Sequence, residues 1–143
     1  MQTLSDQDRL EITRIIMNIL DQWRVPLAAQ AVLLGMPAGT KPRAMKRYHE
    51  GQAALPDQGD TWQRVRQIAG IAEALRTTYP RNPAMGGVWL NRRNHRFDGR
   101  SPLQSMLEDG LNGMLAVHMH LDCSYDWFMD ERQAVASTAA PKA

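Results

Sequence analysis

Residues 89–121 read WLNRRNHRFDGRSPLQSMLEDGLNGMLAVHMHL and hold the densest set of position-dependent residues in the chain. Trp89-Leu90 closes an apolar helical segment, and Asn94 follows in a basic loop. Asp98-Gly99 is a turn dipeptide, because glycine takes a positive φ without a Cβ clash. Ser101-Pro102-Leu103-Gln104 then starts a helix. The Ser101 hydroxyl can accept from the N3 amide, Gln104 can reach back, and Pro102 suits the first helical position, where no N–H is needed. Leu103, Met106 and Leu107 continue as a helical stripe. The stretch predicts short helices around a sharply specified turn, which is a shape and not yet a function.

Upstream, Asp60 is expected to cap a long helix carrying Trp62, Val65, Ile68, Ala69, Ala72, Leu75 and Tyr79, which Pro80 stops. Asn82-Pro83 opens another segment, weakened as a helix by Gly86-Gly87. Downstream, 111–128 reads as an apolar-rich helix with Leu111, Met114, Leu115, His118 and Leu121 on one stripe. Tyr125, Trp127 and Phe128 follow as either the last anchor of a core or an exposed handle for a partner. The tail, 131–143, is small and polar enough to be disordered.

The first part of the chain is also helical in pattern. Residues 5–24 form an amphipathic helix, with Ser5 as N-cap and Asp6 and Asp8 in the first turn. Its apolar face is Ile12, Ile15, Ile16, Ile19, Leu20 and Trp23, and Pro26 ends it or starts the next element. A short helix over 26–35 is closed by Gly35. Thr40 is expected to cap a second short helix that Gly51 stops. Small residues, a glycine-containing turn and a short basic helix together suggest a helix-turn-helix. Residues 52–60 read as a linker.

The chain has 143 residues, 43% of them hydrophobic, which is enough for one domain or two very small ones. Nine Met and four Trp supply much of the bulk, against two Phe and three Tyr. Met fills irregular gaps in cores and adapts at binding surfaces. A net charge of +2 is too mild to argue for nucleic acid by itself, so any such argument rests on local clustering. A single cysteine excludes an intrachain disulfide framework and suits a reducing compartment. With no apolar run of about 18 residues and no basic leader, the expectation is a cytoplasmic protein without a membrane span. No strand alternation or internal repeat is visible.

The Trp89-Leu90 pair, Asn94, Gly99, Ser101-Pro102-Leu103, Gly110 and Val117/Leu121 together resemble the toxin-binding domain of the Xre/MbcA/ParS antitoxins. These are small bacterial proteins encoded beside RES-domain toxins. The resemblance covers roughly 65–121, with Val65, Ile68, Ala69, Ala72 and Leu75 upstream. One departure is the end of the domain: members close with a short apolar–Gly segment, whereas this chain continues as His118-Met119-His120-Leu121-Asp122-Cys123. Residues 42–51, PRAMKRYHEG, resemble the recognition helix of Xre-type repressors, with Met45 and Tyr48 turned to the first helix. Lys41, Arg43, Lys46 and Arg47 then face outward, where Arg suits guanine and both residue types neutralise phosphate. The connection from Gly35 to Thr40 exceeds the usual turn of roughly three to four residues. Pro42 is tolerable only near the first helical position.

The resemblance implies an all-α protein with a helix-turn-helix module over 1–56 and a helical toxin-binding domain over 57–130. It implies an antitoxin that binds a RES-type, NAD-consuming toxin and sterically covers its cleft, with autorepression through promoter DNA. A homodimer is expected, since palindromic half-sites favour a two-fold. The candidate DNA contacts are Lys41, Arg43, Lys46 and Arg47. The candidate toxin contacts are Trp89, Leu90, Asn94, Gly99, Ser101, Pro102 and Leu103, with Tyr125 and Trp127 from the aromatic cluster. The rival readings are a stand-alone regulator without a toxin, or a protein-binding module with a degenerate helix-turn-helix.

His118, His120, Asp122 and Cys123 invite a metal reading, but their spacing matches no structural zinc pattern and no second pair completes one. Cys123 with His120 has neither an oxyanion hole nor a phosphate-cradling loop beside it. No catalytic residue and no cofactor is expected.

Overall fold

A computed structural model describes residues 4–123, and every regular element among them is helical. The order is α1 (Asp6–Gln22), α2 (Leu27–Leu33), α3 (Pro42–His49), α4 (Thr61–Thr78) and α5 (Ala84–Asn91). A 3-10 turn (His95–Phe97), α6 (Pro102–Asp109) and α7, helical over 111–123, complete it. The fold is all-α.

Ser5 starts α1 with a complete capping box: its hydroxyl accepts the Asp8 amide (3.0 Å) while the Asp8 carboxylate accepts the Ser5 N–H (3.2 Å). The helix ends before Pro26 is reached. Arg24 takes a left-handed φ of 58°, and the Val25 N–H turns back to the Leu20 carbonyl. The buried face of α1 is Thr13, Ile16, Met17 and Leu20, so the expected apolar stripe is rotated and Ile15 stands 58% exposed. Spacing defines a stripe about 100° wide, and only the neighbours decide which edge of it is covered.

Leu33 and Leu34 from the end of α2, Met45 from α3, and Val65, Ile68, Ile71 and Leu75 from α4 meet α1 in a single apolar cluster. Leu90, Phe97, Leu103, Met106, Met114, Val117 and Leu121 extend the same cluster through the C-terminal elements. The core therefore runs through both 4–56 and 57–123. Each fully buried side chain of this type contributes about 1.5–3 kcal/mol. On α4, Ala69 is exposed and Ile71 takes the buried position; on α7, Leu115 is exposed and Val117 is buried.

Residues 52–60 join α3 to α4 without regular structure, yet they are pinned. Leu55 is 2% exposed, its N–H donates to the buried Thr13 hydroxyl (3.0 Å), and its carbonyl accepts from Trp62 Nε1 (3.2 Å). Asp60 precedes α4 but makes no capping bond. Its carboxylate takes Arg64 Nε at 2.9 Å, and the same guanidinium donates to the Val32 and Leu33 carbonyls at 3.3 Å. Arg64 thus ties the start of α4 to the C-terminal carbonyls of α2, where a cation also opposes the helix dipole.

Gly86 and Gly87, expected to weaken a helix, lie buried inside α5. A Cβ on Gly87 would sit 3.3 Å from the Gln22 carbonyl oxygen and 3.4 Å from Trp23 Cα. The missing side chain lets α5 lie against the end of α1. Asn91 Nδ2 fixes that crossing by donating to the Trp23 carbonyl (3.0 Å) and to Gly87 O (2.8 Å). The low helix propensity of glycine is offset by close packing.

Candidate nucleic-acid and partner interface

Pro42 occupies the first turn of α3, where its missing N–H costs nothing, and Lys41 stands at the N-cap without a side-chain bond. Thr40 does not cap this helix; its hydroxyl donates instead to the Pro37 carbonyl at 2.6 Å, which stiffens the connection. Met45 is 1% exposed and Tyr48 packs against the core, so these two positions do seat α3.

A polar network completes the seating. Gln30 Nε2 donates to Asp21 Oδ1 (2.8 Å) and to the Val25 carbonyl (2.9 Å), so both amide hydrogens are committed. Gln30 Oε1 then faces His49 Nε2 at 2.9 Å, and His49 Nδ1 lies 3.1 Å from Asp21 Oδ2. The last turn of α3 is thereby fastened to both α1 and α2. His49 and Gln30 escape a sequence reading because nothing local marks two polar residues 19 positions apart as partners.

Lys41, Arg43, Lys46 and Arg47 are all exposed, and none of them makes an ion pair among the described residues. Their charge is left to solvent or to an external anion. The connection between α2 and α3 spans 34–41 and is longer than a standard helix-turn-helix turn.

In the C-terminal half, the candidate contact residues divide between scaffold and surface. Leu90, Pro102 and Leu103 are buried and hold α5 and α6 in the core. Asn94 Oδ1 accepts the Arg96 amide (3.0 Å), and Asn94 O accepts from Phe97 N (3.0 Å) and Gly99 N (3.2 Å). Asp98 and Gly99 carry φ of 58° and 77°, so the turn dipeptide is left-handed at both positions. Ser101 Oγ accepts the Gln104 amide at 3.0 Å, but the Gln104 side chain runs to Glu108 rather than back to the cap. These residues build the turn. Gly99 is exposed, and Trp89 is half-buried on a small aromatic cluster with Phe97 and His120. Tyr125 and Trp127 lie outside the described residues, as do Phe128 and the tail over 131–143.

Arg100, which sequence reading passes over, locks the turn onto α6. Its guanidinium donates to Glu108 (2.9 Å), to Asp109 (3.0 Å) and, through Nε, to the Phe97 carbonyl (3.2 Å). The Arg100 hydrogen bond holds the Asp109 carboxyl below its ordinary range. In the sequence Arg100 is one of four Arg between 92 and 100, and nothing local singles it out as the partner of Glu108 and Asp109.

His118 Nδ1 meets Gln67 Oε1 at 2.9 Å and its Nε2 lies 3.4 Å from Asp122, whereas His120 stacks on Trp89. Among the described residues no group of three or more His, Cys, Asp or Glu converges as a metal ion requires. No helix among them is long and apolar enough to cross a membrane.

A protein of Sinorhizobium fredii (strain NBRC 101917 / NGR234) named "Uncharacterized protein y4oB" is 31% identical to this chain over 105 residues, covering 73% of this chain and 77% of the relative. The chain belongs to that protein's family. No protein-family model matches it, and no solved structure does.

Proposed function

We propose that this protein is the antitoxin of a type II toxin–antitoxin system, with α3 presented to promoter DNA and the C-terminal helices presented to a RES-type toxin. The observation that carries the DNA half is α3 itself. It is a short helix on which Arg43, Lys46 and Arg47, with Lys41 at the N-cap, make no ion pair among the described residues, and whose opposite face is fastened by Met45, Tyr48 and His49. Fixed orientation with unspent charge is what phosphate and base-edge contacts require. The toxin half rests on the resemblance of 65–121. The buried and turn-building residues there act as scaffold, so toxin contact falls to their exposed neighbours: Val88, Arg92, Arg93 and His95 on the turn side, Leu115 and Met119 on α7. The protein acts by covering a toxin cleft and catalyses nothing itself. A homodimer places two copies of α3 on a two-fold site.

The long 34–41 connection favours a second reading, a protein-binding module whose α3 no longer enters a groove. Titration of the protein against its own promoter at several salt concentrations separates the two. Replacing Arg43 and Arg47 together with Ala should weaken binding and reduce the salt slope by about 2, from roughly 0.9 per lost phosphate contact. An unchanged slope, or no binding by the parent protein, rules out DNA reading. Co-expression with the product of the neighbouring gene tests the other half: a stoichiometric complex supports neutralisation, and separate elution removes it.

A further inference from the structure

The connection that departs from helix-turn-helix geometry forms one wall of a groove. Met36 and Pro37 from 34–41, Tyr48 from α3 and Pro56 from the 52–60 segment give it an apolar floor, and it is a shallow, open depression of about 450 Å³. Lys41, Arg43 and Arg47 stand around it, and among the described residues no acid lines it. Arg43 and Arg47 are one helical turn apart, which places their Cβ atoms about 5–6 Å from each other.

We propose that this groove binds an acidic amphipathic segment of a partner protein, with an aliphatic or aromatic side chain on the Met36–Pro37–Tyr48–Pro56 floor and carboxylates on Arg43 and Arg47. Phosphate neutralisation needs charge and no apolar floor. Here two segments outside the helix join Tyr48 in supplying that floor, which matches the helix-in-groove mode of peptide recognition. Fork-shaped guanidiniums suit carboxylates in a bidentate geometry. Because Arg43 and Arg47 also belong to the proposed DNA face, the segment and DNA exclude one another; that clause alone rests on the DNA reading.

The test is fluorescence anisotropy of the full chain with three labelled probes: a Glu/Leu amphipathic peptide, its Gln/Leu counterpart and polyglutamate. The Glu/Leu peptide should bind at least about tenfold more tightly than either control, the size of one charge-assisted contact. Arg43→Ala should weaken it by a similar factor. So should Met36→Ser in the floor and Pro37→Asp, which sets an anion at an exposed loop position and leaves the core intact. Equal affinity for polyglutamate, no effect of Pro37→Asp, or no binding of the Glu/Leu peptide overturns the proposal. Adding promoter DNA should displace the bound peptide. A chain that binds the peptide but no DNA refutes the DNA reading and leaves the groove standing; one that binds DNA but no peptide does the reverse.

Discussion

The His120 imidazole lies flat on the Trp89 indole, with centroids 5.9 Å apart and planes 4° from parallel, and Phe97 meets both rings edge-on. This stack joins α7 to α5 and to the turn between them. Burial, and then the positive Arg96, lower the His120 pKa from its ordinary 6.5. A base whose folded pKa is depressed favours the neutral form, so its contribution to stability is complete above that ordinary value. The contribution is lost as pH falls through the folded value. Lowering pH from about 8 to about 5 should therefore reduce the thermal midpoint more in the parent protein than in His120→Phe, which keeps the stack without a titrating group. Parallel curves for the two proteins would show that the stack does not sense protons.

Asp109 gives an acid-side counterpart. Its carboxyl is held down by the hydrogen bond from Arg100, against an opposing effect of burial. A depressed carboxyl stabilises the fold above its ordinary pKa and ceases to do so as pH falls through the folded value. Arg100→Gln removes the fork, so its acid-denaturation curve, followed by circular dichroism, should be flatter than the parent's below about pH 4. Identical acid limbs would mean that the pair contributes nothing to stability.

Gly113 is buried where α7 passes α6. A Cβ there would fall inside contact distance of the Ser105 carbonyl oxygen and only 3.0 Å from Met106 Cα, and backbone cannot swing aside. Gly113→Ala should destabilise by about 1–3 kcal/mol through overpacking. The gain in helix propensity, about 1 kcal/mol, acts in the opposite direction. Urea unfolding beside Asn112→Ala, at an exposed neighbouring position, isolates the packing effect. A Gly113→Ala protein as stable as the parent would mean that α6 and α7 have room to part.

Thr13 is fully buried and accepts the Leu55 N–H while its own hydroxyl donates to the Arg9 carbonyl at 2.7 Å. Thr13→Val keeps the shape and strands the Leu55 amide, at a cost of about 1–3 kcal/mol. Thr13→Ser should restore most of it. Amide exchange at Leu55 should accelerate in the valine variant and not in the serine one. Equal exchange in all three would show that another group protects that amide.

The sequence by itself determined the helical class and most element ends. Ser5 and Ser101-Pro102 mark helix starts through bonds confined to one turn of chain, and Asp98-Gly99 marks its turn through backbone sterics. Such local chemistry is written in consecutive residues. The resemblance of 42–51 to a recognition helix implied Met45 and Tyr48 as the inner face of α3, with Lys41, Arg43, Lys46 and Arg47 outward. What the sequence left open depends on residues far apart in the chain. Whether Ile15 or Met17 faces inward depends on which elements α1 meets, and why Gly86-Gly87 suits a helix depends on the end of α1. Thr40 and Asp60 have the right chemistry for caps, but nearby partners took their side chains. The His49–Gln30–Asp21 network, the Arg64 and Arg100 ties, and the groove beside α3 exist only once the chain is folded. Sequence periodicity describes one element's face, and tertiary packing decides what that face meets.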